Sequence, residues 1–447
     1  MRRVVQLLKP GSEDFSPRQA WLRLWVLAGD QPRLNAWEQQ RDAQGFDAQV
    51  EGLFALIDDE KPVTLELAQA QPLALIRALD QWLAAMQRPA GRTLATGRAQ
   101  TQYTEEGQGY WLAPVFQAAR QTSAMATQVT QRALWFRHHV AIPCRTSQGL
   151  EVSLQPSAGL LDEALSELAA RQEGELKAWV AHFNDGADVA WTRDIGTAGN
   201  WRTVSVEPAA QRQASIADTL QRAQHSGAVV VVFPEFTVDL QQRRVIAEHL
   251  IQHATGSVQL VVAGSFHEPE LGGNPLQAYN TAPVLVANGL ELFRHRKLRL
   301  FGDEAHGAEC AQIGNTLHVL LTPLGGMTVM ICKDYLDGDD RVRTALHEVL
   351  VDWVWVPSYG NATTLKLHKQ RARELAQVRV GLSTLVAQTQ NTAMDKTGRL
   401  LPGFAHAAGH GAPMDVGDDG GLVSLTWRRV TTPVLDPSRR PALKRIK

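Results

Sequence analysis

The sequence predicts an α/β layered domain that is preceded by a mainly helical N-terminal module. In the first 190 residues, apolar side chains recur at steps of three and four, which is the pattern of amphipathic helices. From about residue 200 onward, short apolar runs alternate with helical patterns, which is typical of layered α/β domains. At 447 residues, the chain is long enough for two or three domains.

The N-terminal module is assigned to residues 1–190, where helical patterns dominate. Two apolar stripes have the spacing of one helix face. They consist of Leu75, Leu79, Trp82, Leu83 and Met86, and of Leu161, Leu165, Leu168, Leu176, Trp179 and Phe183. Residues 88–109 predict a loop, residues 115–136 another helix, and residues 150–154 a strand. The segment 185–200, which is rich in Gly, Asp and Asn, is the predicted boundary of the module.

The C-terminal domain is assigned to residues 198–430, where predicted strands and helices alternate. The predicted strands are 201–206, 229–233, 258–264, 282–287, 291–294, 317–321, 327–331, 353–356, 384–388 and 423–429. The predicted helices are 209–225, 240–255, 341–351 and 365–380. Residues 431–447 are basic and predict a solvated tail or an arm that packs against a partner.

The composition fits a soluble globular protein and argues against several classes of partner. The 45 basic and 46 acidic residues nearly cancel, so no global charge points to nucleic acid or to an anionic membrane. No apolar run reaches the roughly 18 residues of a membrane-spanning helix. Cys144, Cys310 and Cys332 are too few and too scattered for a disulfide framework. We therefore expect a cytoplasmic protein without a membrane or nucleic-acid partner.

Three chemically distinct residues each lie at or just past the end of a predicted apolar strand. Glu235 comes shortly after the strand 229–233. Lys297 follows the predicted strand 291–294, and Cys332 directly follows the apolar run 329–331. A thiol beside a base and a cation is an activated nucleophile. Taken one at a time, these residues also fit a buried apolar thiol, an acid near a helix N-terminus and a basic strand end.

The motifs around these residues resemble those of the nitrilase, or carbon–nitrogen hydrolase, superfamily. Phe-Pro-Glu at 233–235, Arg-Lys at 296–297 and Ile-Cys-Lys-Asp at 331–334 are similar to the family's glutamate, lysine and cysteine motifs, in the same order. The resemblance covers about residues 200–427. It implies a four-layer α-β-β-α sandwich with the active-site residues at strand ends.

The resemblance also implies a role for each residue. Cys332 would be the nucleophile, and Glu235 would take the thiol proton and later give it to the leaving amine. Lys297 would stabilise the oxyanion together with the backbone N–H of Lys333.

Many family members use a second glutamate after the lysine. Glu309 is the better candidate, because Ile-Gly-Asn at 313–315 resembles the turn that follows this glutamate in the family. Glu304 is the alternative. A glutamate without a function here would be a surface carboxylate in a polar loop.

These motifs predict a cysteine-dependent hydrolase of a non-peptide carbon–nitrogen bond that works through a thioester acyl-enzyme. Nitrile-cleaving relatives tend to have Trp-Glu after the cysteine. Lys333 and Asp334 in this position favour a small-molecule amide or carbamoyl substrate over a nitrile.

No cofactor and no metal ion are expected. His138 and His139 are adjacent and would diverge in a regular element, and Cys144 is some distance away. His406 and His410 lie in a glycine-rich loop that lacks a third ligand.

A second class of function stays open. Residues 1–190 have no counterpart in the family, and the Gly-His-Ser segment that usually follows the last site strand is degenerate at 403–410. These departures fit a nitrilase-like scaffold that senses a ligand or mediates interactions in a larger bacterial assembly, including one in defence. Because family members commonly assemble, we expect a homo-oligomer, a dimer or larger. Residues 1–190 are the region expected to recruit a protein partner.

Overall fold

The structure is a computed structural model that describes residues 1–11, 15–86, 102–105, 107–114, 135–136, 138–171, 173–183, 189–193, 199–270, 277–303, 307–336, 341–378, 382–389, 402–407, 411–417 and 420–428. The described residues form two compact units, which divide between Pro143 and Cys144. The predicted tail 431–447 and nearly all of the predicted helix 115–136 lie outside them.

Within the described residues, the first unit consists of six helices and a three-stranded antiparallel sheet. The helices are α1 (Arg2–Gln6), α2 (Pro17–Leu27), α3 (Gln31–Gln40), α4 (Phe46–Asp58), α5 (Leu65–Ala70) and α6 (Pro72–Met86). The strands are β1 (Gln102–Glu105), β2 (Gln108–Pro114) and β3 (His139–Pro143), in the order β1-β2-β3. At the start of α2, Ser16 accepts a hydrogen bond from the N–H of Gln19, and Pro17 occupies the first helical position.

The core of the first unit includes the apolar stripe of α6. Leu75, Leu79 and Leu83 are fully buried there, as predicted for this helix face. Met86, which the prediction placed on the same face, is instead 53% exposed at the end of the helix. Trp21 of α2 packs edge-to-face against Phe136, with ring centroids 5.1 Å apart. Such aromatic pairs add about 0.5–1.5 kcal/mol to the effect of burial alone.

The second unit contains two seven-stranded sheets and the helices that cover them. Its strands are β4 (Glu151–Pro156), β5 (Glu173–Val180), β6 (Val189–Arg193), β7 (Trp201–Val206), β8 (Val230–Val232), β9 (Leu260–Val262), β10 (Phe266–Pro269), β11 (Ala278–Val286), β12 (Glu291–Arg296), β13 (Gly302–Asp303), β14 (Gly307–Ala308), β15 (Thr316–Thr322), β16 (Gly325–Val329), β17 (Val351–Tyr359), β18 (Ser383–Thr389), β19 (Gly403–His406), β20 (Met414–Asp415) and β21 (Gly421–Arg428). Its helices are α7 (Gly159–Ala169), α8 (Ala209–His225), α9 (Leu240–Gln252), α10 (Lys333–Leu336), α11 (Arg341–Glu348) and α12 (Ala362–Val378).

The two sheets of the second unit pack face to face. The first has the order β10-β11-β9-β8-β5-β21, with β12 also paired to β11, and the second has the order β20-β19-β18-β17-β16-β15-β4. Val230 and Val232 of the first sheet share one core with Trp353 and Trp355 of the second. Val231, which alternates with them, packs instead with α8 and α9, while α12 packs on β18 and β19. These helix-sheet-sheet-helix layers confirm the predicted fold class.

The division between the units does not coincide with the predicted boundary at 185–200. β4 and β5 precede that segment, yet each is a strand of one of the large sheets. The stripe from Leu161 to Phe183 predicts one helix, whereas α7 ends earlier and Leu176 and Trp179 lie on β5. Leu176 and Trp179 are three residues apart, as on one helix face, but they lie on opposite faces of β5: Leu176 packs in the core between the sheets and Trp179 packs in the cluster that includes α8 and α9. Because β5 buries apolar residues on both faces, periodicity alone did not separate this strand from a helix.

Two smaller predictions also need correction. The predicted loop 88–109 is partly wrong, because β1 and the beginning of β2 lie within it. The predicted strand 201–206 forms as β7, but it pairs with β6 in a two-stranded ribbon rather than in a large sheet.

Among the helices of the described residues, none is both long enough and apolar enough to cross a bilayer. Cys144, Cys310 and Cys332 are all free thiols.

Candidate active site

Glu235 lies three residues past the end of β8, and its side chain is buried. Its Oε1 accepts hydrogen bonds from Lys297 Nζ at 2.8 Å and from Asn280 Nδ2 at 2.9 Å. Its Oε2 accepts a hydrogen bond from the backbone N–H of Tyr359, at the end of β17, at 3.0 Å. The end of a strand in one sheet thus meets the end of a strand in the other.

Lys297 directly follows β12, and only 1% of the residue is exposed. Its backbone N–H donates to the carbonyl oxygen of Asn280 on β11 at 2.8 Å, which fixes the end of the strand. Its ammonium lies 2.8 Å from Glu235 Oε1 and 2.8 Å from Glu309 Oε2. A lysine ammonium has three N–H groups, so these two ion pairs leave one N–H for a ligand.

Glu309 accepts hydrogen bonds from four donors. Asn280 Nδ2 and His267 Nε2 lie 2.7 and 3.0 Å from Oε1. Lys297 Nζ and the backbone N–H of Phe301 lie 2.8 and 2.9 Å from Oε2. An ionised carboxylate offers about four acceptor positions, so Glu309 is saturated with donors.

The two carboxylates share one ammonium, and their pKa values shift in opposite directions. Burial raises the pKa of Glu235, and Lys297 offsets this only in part. Burial acts in the same sense on Glu309, but Lys297 and the hydrogen bond from His267 outweigh it and hold the pKa of Glu309 below its usual range. Although burial alone would lower it, the pKa of Lys297 is raised, because both carboxylates favour the ammonium. The cluster therefore contains a lysine that stays protonated (Lys297), a carboxylate that stays ionised (Glu309) and a carboxylate suited to proton exchange (Glu235).

Cys332 lies at the turn between β16 and α10. Its φ of +41° is a left-handed backbone conformation, which is uncommon for a residue other than glycine. Its backbone N–H donates to the carbonyl of Pro357 at 2.9 Å. The thiol accepts a hydrogen bond from Ser358 Oγ at 3.4 Å and lies 3.6 Å from the carbonyl oxygen of Tyr359. Tyr359, whose N–H bonds to Glu235, therefore also contacts the thiol.

The thiol of Cys332 is not ionised in the resting site. Burial raises its pKa to about 12, the negative charge of Glu235 acts in the same direction, and Lys297 opposes both. The sequence predicts activation of the thiol by its neighbours, but burial and the charge of Glu235 outweigh the effect of the cation. A thiolate is therefore rare near neutral pH.

Asp334 connects the cysteine turn to the chain that follows the lysine. In the structure, Oδ2 accepts from the N–H of Ile331 and from His295 Nε2, both at 3.1 Å. Oδ1 accepts from the N–H groups of Leu298 and Arg299 at 2.8 and 2.7 Å. This buried carboxylate thereby fixes the segment of the nucleophile against the segment of the cation.

Sequence reasoning also missed Asn280 and His267. Asn280 lies shortly before the lysine motif, and its amide donates to both glutamates of the cluster. His267 and Asn280 are direct partners in the antiparallel pair of β10 and β11. A polar residue within the largely apolar β11 was the signal available for Asn280, whereas β10, with the sequence Phe-His-Glu-Pro, offered no such signal for His267.

The remaining predicted residues have mixed outcomes. Lys333 begins α10, where backbone N–H groups lack partners within the helix. Glu304 and His410 lie outside the described residues, and His406 is buried on β19 rather than in a loop. Across the described ranges, no three side chains of the kinds that ligate metals form a group able to hold an ion.

Comparison with known proteins identifies the part of the chain that carries these residues. Residues 196–357 match the carbon–nitrogen hydrolase family. The chain contains a carbon–nitrogen hydrolase domain. This result confirms the resemblance to the nitrilase superfamily, and the matched part of the hydrolase domain includes Glu235, Lys297, Glu309 and Cys332. Among curated proteins, none matches the chain.

Solved structures that are similar to this chain have low sequence identity to it. Nit3 of Saccharomyces cerevisiae, a member of branch 10 of the nitrilase superfamily, is 16% identical, with 60% of this chain and 93% of Nit3 covered and a TM-score of 0.41. An amidase from Nesterenkonia sp. is 18% identical, with 58% of this chain and 92% of the amidase covered and a TM-score of 0.41. A carbon–nitrogen hydrolase from Helicobacter pylori G27 is 12% identical, with 57% of this chain and 89% of that hydrolase covered and a TM-score of 0.40.

Proposed function

We propose that the hydrolase domain cleaves the carbon–nitrogen bond of a small, non-peptide amide or carbamoyl compound through a thioester on Cys332. The difference between the two glutamates carries this proposal. Glu309 accepts four hydrogen bonds, whereas three donors from the described residues reach Glu235 and only one of these bonds to Oε2. Glu235 therefore retains an acceptor position for a proton in transfer, and its raised pKa suits a general base.

Tyr359 brings the proposed base and nucleophile to the same peptide segment. Its N–H bonds to Glu235 Oε2 at 3.0 Å, and its carbonyl oxygen lies 3.6 Å from the sulfur of Cys332. Because the resting thiol is protonated, its proton passes to Glu235 as the sulfur attacks. The base and the nucleophile then work in one step, and no thiolate has to accumulate beforehand.

In the acylation half-reaction, Cys332 Sγ forms a bond to the carbonyl carbon, and an electron pair moves to the carbonyl oxygen. The third N–H of Lys297 and the backbone N–H of Lys333 stabilise this oxyanion. Glu235 then returns the proton to the leaving nitrogen. The carbon–nitrogen bond breaks, an amine or ammonia departs, and a thioester remains.

In the deacylation half-reaction, a water molecule attacks the thioester while Glu235 accepts one of its protons. Collapse of the second tetrahedral intermediate releases the carboxylic or carbamic acid, and Glu235 returns the proton to the sulfur. Lys297 remains an ammonium throughout, because Glu309 stays ionised beside it.

Mass spectrometry tests this function directly. The protein is incubated with acetamide, propionamide and N-carbamoylglycine, with propionitrile for comparison, while ammonia release and the mass of the Cys332 peptide are followed. We expect ammonia release and an acyl or carbamoyl adduct on Cys332 with at least one amide or carbamoyl compound. Cys332→Ala should abolish both, whereas the matched Cys144→Ala and Cys310→Ala variants should retain turnover. Turnover that survives in Cys332→Ala would contradict the proposal.

A ligand-sensing scaffold is the second candidate. The exposed fraction of Cys332 is 8% and its pKa is about 12, and both values are compatible with a site that binds without turnover. Saturable binding of an amide with neither an adduct nor ammonia would support this alternative. The homo-oligomer stays a prediction that light scattering of the purified chain can test. A protein partner of residues 1–190 also stays a prediction.

A further inference from the structure

His267 lies on β10 and is buried beside the two glutamates. Its Nε2 is 3.0 Å from Glu309 Oε1. On the other side of the ring, Nδ1 accepts a hydrogen bond from the N–H of Thr203 at 3.0 Å and lies 2.8 Å from the Thr203 hydroxyl. Phe236 stacks on the ring with centroids 5.3 Å apart, and Trp201 meets it edge-on at 6.0 Å.

These contacts determine the tautomer of His267. A backbone N–H can only donate, so Nδ1 accepts from Thr203 and the ring proton resides on Nε2. This Nε2–H then donates to Glu309. Because all four partners of Glu309 are donors, a proton on this carboxyl group would have no acceptor among them.

We infer that His267, held in place by Thr203, is a positioning residue that keeps Glu309 ionised. The proton that is exchanged during catalysis is therefore carried by Glu235 and not by Glu309. This inference rests on the proposed function and deepens it. His267 acts through Glu309, which in turn holds the ammonium of Lys297.

The ring must also be neutral for this role. The charged groups that face it are Glu309, Lys297 after β12, and Arg202 on β7. Burial lowers the pKa of His267, Lys297 and Arg202 act in the same sense, and Glu309 opposes them. A neutral ring donates its hydrogen bond without adding a second cation to the cluster. An imidazolium there would stabilise the anion of Glu235 and weaken it as a base.

Two variants separate positioning from packing. His267→Gln keeps an N–H donor for Glu309 and an acceptor for Thr203, whereas His267→Met removes both. On the amide that the wild type hydrolyses, we expect kcat of His267→Met to fall about tenfold to a hundredfold, with KM nearly unchanged. The acid limb of kcat/KM should move to higher pH, because Glu309 then protonates more readily, and His267→Gln should restore it. An unchanged acid limb in His267→Met, or no restoration in His267→Gln, would overturn the inference.

Nuclear magnetic resonance provides a readout that needs no turnover. In wild-type protein labelled with ¹⁵N-histidine, the His267 signal, assigned by its loss in His267→Gln, should show the Nε2–H tautomer from about pH 6 to pH 8. Titration to imidazolium near the ordinary pKa of about 6.5 would overturn the inference. If no amide is hydrolysed while the neutral tautomer is present, the proposed function fails and the placement of His267 stands.

Discussion

Asp80 in the first unit and Glu235 in the second are both buried carboxylates surrounded by hydrogen-bond donors. Asp80 accepts from Trp21 Nε1 at 3.2 Å and from the N–H groups of His138 and His139 at 2.8 and 3.1 Å. The His139 ring adds a further contact at 3.2 Å. These donors tie α6 to α2 and to the start of β3, which is a structural role.

Glu235 differs from Asp80 in its neighbours and not in its burial. It shares an ammonium with a second carboxylate, and it retains an acceptor position near a thiol. A buried, hydrogen-bonded carboxylate is therefore not by itself a sign of catalytic chemistry. The signs are a shared cation, unequal saturation of two acids and a nucleophile within reach.

Apart from changes to the proposed base and nucleophile themselves, the largest effect is expected for Lys297→Met. The substitution removes an oxyanion donor worth about 3 kcal/mol, so turnover should fall a hundredfold to a thousandfold. It also leaves two buried carboxylates without their cation, which should cost about 3–5 kcal/mol of stability. Turnover per folded protein and thermal unfolding measure the two losses. The matched control is Lys61→Met, because Lys61 forms an exposed ion pair with Asp59. Equal destabilisation by both variants would contradict the account.

Glu309→Gln should have the next largest effect. The new amide can accept hydrogen bonds only through its oxygen, and its NH₂ group would face two donors. We therefore expect a loss of about 3 kcal/mol in stability and a tenfold to hundredfold loss in turnover. Glu270→Gln, at an exposed ion pair with Arg296, is the matched control and should change little.

The pH dependence of stability gives this prediction a second test. The folded-state pKa of Glu309 is depressed, so its contribution is present above the unfolded pKa, near 4.5, and is lost as the pH falls from there toward the folded pKa. The difference in melting temperature between wild type and Glu309→Gln should therefore narrow in acid. A difference that stays constant down to about pH 3 would show that the charge of Glu309 is not the cause.

Asp80→Asn should have the smallest effect and should act on stability alone. The amide keeps one acceptor oxygen for the donors around Asp80, so we expect a loss of about 1–3 kcal/mol in the free energy of unfolding. Turnover per folded molecule should not change, because every residue of the proposed machinery belongs to the second unit. Chemical denaturation measures the stability and the ammonia assay measures the turnover. A loss of turnover without a loss of stability would show that the role of Asp80 is not purely structural.

The sequence predicted most of the hydrolase domain because strand ends leave a local pattern. Glu235, Lys297 and Cys332 each follow an apolar run, and the layered sheets bring these strand ends together. Glu309 was found from the turn that follows it. The assignment of Glu309 to the same cluster, at 2.8 Å from Lys297, needed the structure.

What the sequence did not predict depends on contacts between distant segments. The bonds of His267 to Thr203 and of Asp334 to the chain after Lys297 leave no periodic trace. The raised pKa of Cys332 follows mainly from burial in the folded unit, which a motif does not reveal. The position of β5 in a large sheet was missed because its apolar residues imitate a helix face.

The proposed mechanism requires that Glu235 is the base and that its negative charge suppresses the thiol of Cys332. The most direct test compares wild type with Glu235→Gln in two assays, amide hydrolysis and alkylation of Cys332 by iodoacetamide, each as a function of pH. Loss of the base should lower hydrolysis about a hundredfold to ten-thousandfold. Loss of its negative charge should lower the thiol pKa from about 12, so alkylation at a given pH should become faster. Cys144, whose pKa is raised to about 11 by burial, is the internal control and should react at the same rate in both proteins. If hydrolysis and alkylation fall together, or if alkylation does not change, Glu235 is not the charged partner of the nucleophile.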